Sequence, residues 1–166
     1  MNLLAKLTVC TLLSLAPVCA YSAQHIVHAR VNEYGVLDLS NNKVTDLNFL
    51  FAISHPHTIK KINLSHNSIK HIPTYVFDRF TELEALDLSH NKIEGFPPFV
   101  FDHLRKVQVL NLANNHIKQL NPFMFDHLKS IRVLDLTHNR LRSLPTFIFD
   151  QLPKNARIKL GHNRLR

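Results

Sequence analysis

From residue 36 onward, the apolar positions follow one short theme: an apolar, polar, apolar alternation, then two small or polar residues, an Asn, one variable residue and a further apolar one. It occurs six times, as Leu37-Asp38-Leu39 ahead of Asn42, Ile62-Asn63-Leu64 ahead of Asn67, Leu86-Asp87-Leu88 ahead of Asn91, Leu110-Asn111-Leu112 ahead of Asn115, Leu134-Asp135-Leu136 ahead of Asn139, and Ile158-Lys159-Leu160 ahead of Asn163. The six Asn are 25, 24, 24, 24 and 24 residues apart. Side chains two apart point to one face of a strand, so each apolar pair is buried while its neighbours face outward. A fixed period of this size predicts stacked coils, each unable to bury its apolar side alone.

The rest of the coil repeats as well. It reads Ile72-Pro73-Thr74-Tyr75-Val76-Phe77-Asp78, Phe96-Pro97-Pro98-Phe99-Val100-Phe101-Asp102, Leu120-Asn121-Pro122-Phe123-Met124-Phe125-Asp126 and Leu144-Pro145-Thr146-Phe147-Ile148-Phe149-Asp150. Phe77, Phe101, Phe125 and Phe149 are expected to stack as a buried spine. The Asn column (Asn42, Asn67, Asn91, Asn115, Asn139, Asn163) falls where the chain leaves each strand, and a side-chain amide there can bond backbone groups that the turn leaves unpaired. The column is therefore assigned a structural role.

These residues resemble the 24-residue, typical extracellular class of leucine-rich repeat, whose pattern adds a Pro and a Phe in the back half. Similar repeats occur in Toll-type receptor ectodomains and Slit-like proteins. The resemblance implies an α/β-type repeat solenoid: a horseshoe with a parallel β-sheet on its concave face and mostly irregular or short helical convex segments. The expected organisation is a signal peptide over 1–20, a lead-in coil over 21–35, and a repeat domain over 36–166 with six repeats, the last incomplete.

Residues 1–20 set the expected compartment. Lys6 precedes an apolar run from Leu7 to Ala16, and Val18-Cys19-Ala20 ends it in a small-residue cleavage pattern, which reads as a secretory signal cut after Ala20 or Ala23, with Ala20 the better fit. The run is short for a membrane anchor and is interrupted by Thr11, Ser14 and Pro17. Cys10 and Cys19 both lie in this segment, so the secreted chain is expected to carry no thiol. Secreted members of the family usually carry Cys-rich caps at both ends of the solenoid; here neither is seen, and the sequence is either closed by a hydrophilic last strand or is part of something longer.

Charge is distributed unevenly. Residues 24–128 hold ten basic and ten acidic side chains, whereas residues 129–166 hold nine basic ones against Asp135 and Asp150. Arg157, Lys159, Arg164 and Arg166 are accordingly candidates for a polyanion site, such as a heparan-like glycan or an anionic surface. The alternative is that charge on a terminal strand discourages stacking with other chains. Nucleic acid is not the expected partner, and no transmembrane anchor is expected.

Other chemistry is sparsely represented. His66, His90, His138 and His162 recur just before the Asn column, and those in adjacent coils, such as His66 and His90, fall about one strand spacing apart and could share a metal; the same position is often His in this family, so a solvated repeat position is preferred to a metal site. With no paired carboxylates, no Ser/His/Asp set and no Gly-rich phosphate loop, neither an enzyme nor a cofactor is expected.

The remaining candidates are binding surfaces. The concave face is assigned Asp38, Asn63, His66, Asp87, His90, Asn111, Asp135 and His138, with Ser40, Ser65, Ser89 and Thr137 also outward and Val109 and Val133 as its larger apolar members. It carries no Tyr, Trp or Phe, the residues on which protein interfaces lean. Asn63-Leu64-Ser65 is a glycosylation acceptor pattern, and a glycan on Asn63 would cover part of this face. The aromatic rings lie instead at Tyr75, Phe99, Phe123 and Phe147, where family members commonly have Gly or a small or polar residue. This flank column is either a contact surface, for a protein ligand or for homodimerisation, or a self-packed ladder that stiffens the stack. The expected function is a secreted, non-catalytic recognition module for a protein partner, a soluble accessory in extracellular adhesion or innate recognition, with polyanion binding or a fragment of a larger ectodomain as alternatives.

Overall fold

The computed structural model describes residues 31–166. The signal peptide, both cysteines and the lead-in segment up to residue 30 lie outside the described residues. Six three-residue strands, β1 (Val36–Asp38), β2 (Lys61–Asn63), β3 (Ala85–Asp87), β4 (Val109–Asn111), β5 (Val133–Asp135) and β6 (Arg157–Lys159), form one parallel sheet in chain order. The register pairs equivalent repeat positions throughout: Leu37 faces Ile62, and in turn Leu86, Leu110, Leu134 and Ile158. Each strand is one turn of a solenoid. The back halves are turns, with 3-10 segments among the described residues at Asn48–Ala52 and Pro56–Thr58.

The interior is a stack of equivalent residues. Leu37, Leu39, Ile62, Leu64, Leu86, Leu88, Leu110, Leu112, Leu134 and Leu136 are buried in one continuous core, and Ile69, Ile93, Ile117 and Leu141 close it beyond the Asn column. On the far side, Phe77, Phe101, Phe125 and Phe149 stack at centroid separations of 6.4, 6.2 and 6.1 Å, in the offset spacing that suits aromatic quadrupoles.

The inter-coil hydrogen bonds run past the strands. After each second apolar residue the chain turns through a left-handed residue, Asn41, His66, His90, Asn114, His138 or His162, with φ of 53–57°. Asn and His are among the non-glycine residues enriched in that region, which accounts for the alternation of these two types just before the Asn column. The turn directs His66 N–H to Ser89 O and His138 N–H to Gly161 O, both at 3.0 Å.

The Asn side chains complete the accounting. Asn91 Nδ2 donates to Leu64 O of the preceding coil and to Leu88 O and Ser89 O of its own, while its Oδ1 accepts Ile69 N–H. Asn115 and Asn139 repeat this set one coil and two coils on. Asn67 also accepts from both Asn42 N–H and Val44 N–H. Asn163 keeps bonds to Leu136 O, Leu160 O and Leu141 N–H. Asn42, in the first described repeat, donates to Ser40 O alone among the described residues.

The described part of the lead-in, residues 31–35, does not add a parallel coil. It reverses on itself, with an antiparallel bridge between Val31 and Leu37. Asn32 Oδ1 accepts the N–H groups of Tyr34 and Val36. Gly35 sits at φ 73°, and a Cβ there would fall 2.6 Å from Thr58 O, so the reversal requires glycine at this position.

Candidate functional site

The concave face differs from the sequence reading in two respects. The alternation runs one residue past each three-residue strand, to the buried Leu64 and Leu88, and the backbone then turns through the left-handed His66 and His90. Ser65 and Ser89 turn inward and are buried, where an outward position was expected. The Asp/Asn column of the face is also held by its own turns. The side-chain oxygens of Asp38, Asn63, Asp87, Asn111 and Asp135 each accept the backbone N–H two residues on, at 2.8–3.2 Å. A short polar side chain bonding the backbone two residues ahead is the local device that starts a turn.

Cross-coil bonds take up further oxygens of that column. Asn111 Nδ2 donates to Asp87 Oδ2, and Lys159 Nζ lies 2.9 Å from Asp135 Oδ2. Burial is the largest influence on the Asp135 carboxyl and raises its pKa, but the hydrogen bonds from Lys159 and Thr137, with the Lys159 charge, prevail and hold it below the ordinary Asp range. What the face leaves open is modest: Ala85 and Val133 are half-buried, and Val109 is exposed. Asn63, the glycosylation acceptor, is half-buried in β2 with its Oδ1 engaged by Ser65 N–H.

The His column forms stacked pairs. His66 lies over His90, and His138 over His162, each at a centroid separation of 4.1 Å with rings within 10° of parallel. Asn114 intervenes, its Nδ2 3.4 Å from His90 Nε2. Ring lone pairs lie in the ring plane, so face-to-face imidazoles do not aim them at a common point. Among the described residues, no group of three or more His, Cys, Asp or Glu side chains is placed to hold a metal ion.

The flank column is the largest set of equivalent exposed aromatic residues in the described chain, where Tyr34 is also exposed. Tyr75, Phe99, Phe123 and Phe147 are 59, 63, 67 and 71 % exposed, and no ring pair links them to one another. Each sits in the left-handed region, with φ of 62–66°. Each starts a turn, its carbonyl accepting the N–H of Asp78, Asp102, Asp126 or Asp150 at 3.0–3.1 Å. That backbone explains why Gly or a small residue is usual at this position: for a residue with a Cβ, the conformation costs about 1–2 kcal/mol. Two residues on, the backbone has turned the next Phe into the core.

The four residues assigned to a polyanion site do not form one group. Arg157 and Lys159 lie on the concave face, where Lys159 is engaged by Asp135. Arg164 lies beyond the Asn column and lines a flank groove with Lys118, Arg140 and Arg142. Arg166 follows it and is exposed. The charge balance along the chain does not mark Lys118, Arg140 and Arg142 as one group, because the solenoid collects them by position within the repeat.

The sequence matches the family described as leucine rich repeat over residues 57–117, 81–141 and 105–165, and the chain belongs to that family. The crystal structure of the leucine-rich repeat domain of APL1B is similar in fold, with a TM-score of 0.69 at 25% identity. The match covers 91% of this chain and 44% of that one, so the chain spans less than half the length of that domain. A search of curated proteins finds no match. The repeat architecture is that of a protein-protein interaction module, a class that is typically non-enzymatic. It is shared with 265 solved chains, so the fold alone does not select the partner. Among the described residues, no helix is long and apolar enough to cross a membrane.

Proposed function

We propose that this chain is a secreted, non-catalytic recognition module whose principal contact surface is the flank column Tyr75, Phe99, Phe123 and Phe147, engaging a protein partner. The observation that carries the reading is the combination of exposure and backbone cost: four successive coils keep a solvent-facing ring on a left-handed residue, where a small residue would serve the turn better. Strain maintained at an exposed position without a packing return points to function. Four such rings in register also approach the few hundred Å² of apolar surface that marks a contact site, and aromatic anchors supply most of the energy at protein interfaces. The concave face supports the reading by contrast, since its polar column is committed to its own turns.

Secretion is supported by the signal-like sequence of residues 1–20. N-terminal sequencing of the exported protein should begin near Tyr21, with no titratable thiol. The contact surface is tested by placing a photo-crosslinking phenylalanine at Phe123 or at Val109 in the exporting cells. Adducts at Phe123 that disappear when Phe99 is replaced by Ser are expected. Adducts at Val109 alone would place the contact on the concave face and contradict the proposal.

A further inference from the structure

On the flank where each coil leaves the sheet, the residues one and three places after the Asn column form two further columns. The first holds Lys43, Ser68, Lys92, His116, Arg140 and Arg164, and the second Thr45, Lys70, Glu94, Lys118, Arg142 and Arg166. Inter-coil bonds fix the first in register, with Lys92, His116, Arg140 and Arg164 each donating N–H to the preceding coil at 2.8–2.9 Å. Strand spacing then brings successive members to about 5 Å.

Glu94 is the one acid in this grid, and its Oε2 lies 2.6 Å from Lys118 Nζ. Its carboxyl is held below the ordinary Glu range, first by that hydrogen bond and the Lys118 charge, with His116 and Arg140 adding to the effect against a desolvation that opposes it. From Arg140 onward the two columns contain only Arg at these positions.

Here the surface is indented. Lys118, Arg140, Arg142 and Arg164 line an open groove of about 690 Å³ whose apolar lining includes Leu120 and Leu144. No acidic or aromatic side chain lines it. Among the described residues, the three guanidinium groups take part in none of the ion pairs. We infer that this groove binds a sulfated polysaccharide.

The chemistry of the groove selects that class. A guanidinium fork matches an oxyanion with two parallel hydrogen bonds, and three forks outside any ion pair among the described residues provide such contacts for several anionic groups at once, while Lys118 beside them is held by Glu94. The regular register of the coils suits a polymer whose charges recur along its length. Nucleic acid would offer the same backbone charge, but single strands are held largely by stacking bases on aromatic side chains, and this groove has none. The apolar lining keeps water from part of the contact and suits the C–H faces of a sugar ring. The inference rests on the cation grid alone and stands whether or not the flank aromatics bind a protein.

The test uses the full chain and three immobilised probes: heparin, the same heparin fully desulfated and re-N-acetylated, and a single-stranded oligonucleotide of similar length. Heparin should bind, weaken steeply with salt, and exceed both other probes by about tenfold or more. The triple variant Arg140→Glu, Arg142→Glu, Arg164→Glu should lose about tenfold or more in heparin affinity. The control Lys60→Glu, Lys61→Glu, Arg105→Glu makes the same change in net charge elsewhere and should lose distinctly less. If the triple variant fails to give a native circular dichroism spectrum, Arg142→Glu alone should still reduce binding more than Arg105→Glu alone. Equal losses in groove and control variants, undiminished binding to desulfated heparin, or oligonucleotide binding as tight as heparin would each overturn the inference.

Discussion

Two columns of aromatic rings run through four successive coils of this solenoid, only two residues apart in each coil, and their environments are opposite. Phe77, Phe101, Phe125 and Phe149 stack on one another, the first three with no exposed surface, whereas Tyr75, Phe99, Phe123 and Phe147 are each more than half exposed and touch no equivalent ring. Residue type does not separate them. Backbone does: the outer column occupies the left-handed region and opens a turn that carries the inner column into the core. The same residue type is therefore structural in one column and available for contact in the other.

The largest effect is expected from breaking the inner column. Phe101→Ala should cost about 3–5 kcal/mol, measured by chemical denaturation, while Phe99→Ala should cost less than about 1 kcal/mol because its ring is mostly in solvent. Equal costs would dissolve the distinction. The Asn ladder provides a second contrast of the same kind. Asn115→Ala removes donors to Leu88 O, Leu112 O and Ala113 O and the acceptor of Ile93 N–H, all in buried surroundings. A cost of about 3 kcal/mol is expected, with hydrogen exchange accelerating first at Ile93. Asn63→Ala, losing one turn bond to Ser65 N–H, should cost about 1 kcal/mol.

A smaller effect with a diagnostic sign tests the backbone directly. At Phe123, Gly should be more stable than Ala by about 1 kcal/mol, because Gly occupies the left-handed region without a Cβ penalty. At Phe101, outside that region, the order should reverse. Paired melting curves of these four variants check it, and Ala above Gly at both positions would remove the strain argument.

The smallest expected effect concerns pH. The Asp135 carboxyl has a folded pKa below its unfolded value, so its contribution is present above the unfolded Asp pKa and is lost as pH falls through the folded one. The partner Lys159 is largely solvent-facing, so less than about 1 kcal/mol is at stake. Wild type should exceed Asp135→Asn in stability at pH 7, with the gap closing toward pH 2. A gap independent of pH would show that ionisation of Asp135 contributes nothing to the difference.

Much of this was legible in the sequence because a stacked repeat converts chain period directly into spatial columns. The spacing of Asn42 to Asn163 implied the parallel register, and Leu-x-Leu implied which side chains enter the core. Features set by local backbone were less accessible. Nothing in a binary pattern shows that the chain turns just after Leu64 and Leu88, where Ser65 and Ser89 are buried rather than exposed; nor that Asp87 and Asn111 hold turns, since the same residues would suit an open polar face. The departure of Tyr75 and its equivalents from the usual small residue was visible, but its cost became clear only with the φ angle. The groove between Arg140, Arg142 and Arg164 was hidden for another reason: Arg140 and Arg142 alternate along one coil, while Arg164 joins them from a whole period on.

The claim that the outer column exists for contact is tested most directly by the double variant Phe99→Ser, Phe123→Ser, which removes the centre of the stripe. Circular dichroism melting is paired with sedimentation in the presence of the crosslinked partner, or of the chain alone where the adduct is a second copy. The account predicts a melting temperature within a few degrees of wild type, since about 1 kcal/mol corresponds to roughly 2–8 °C in domains of this range, together with loss of association. A fall expected of buried Phe truncation, with association unchanged, would contradict it.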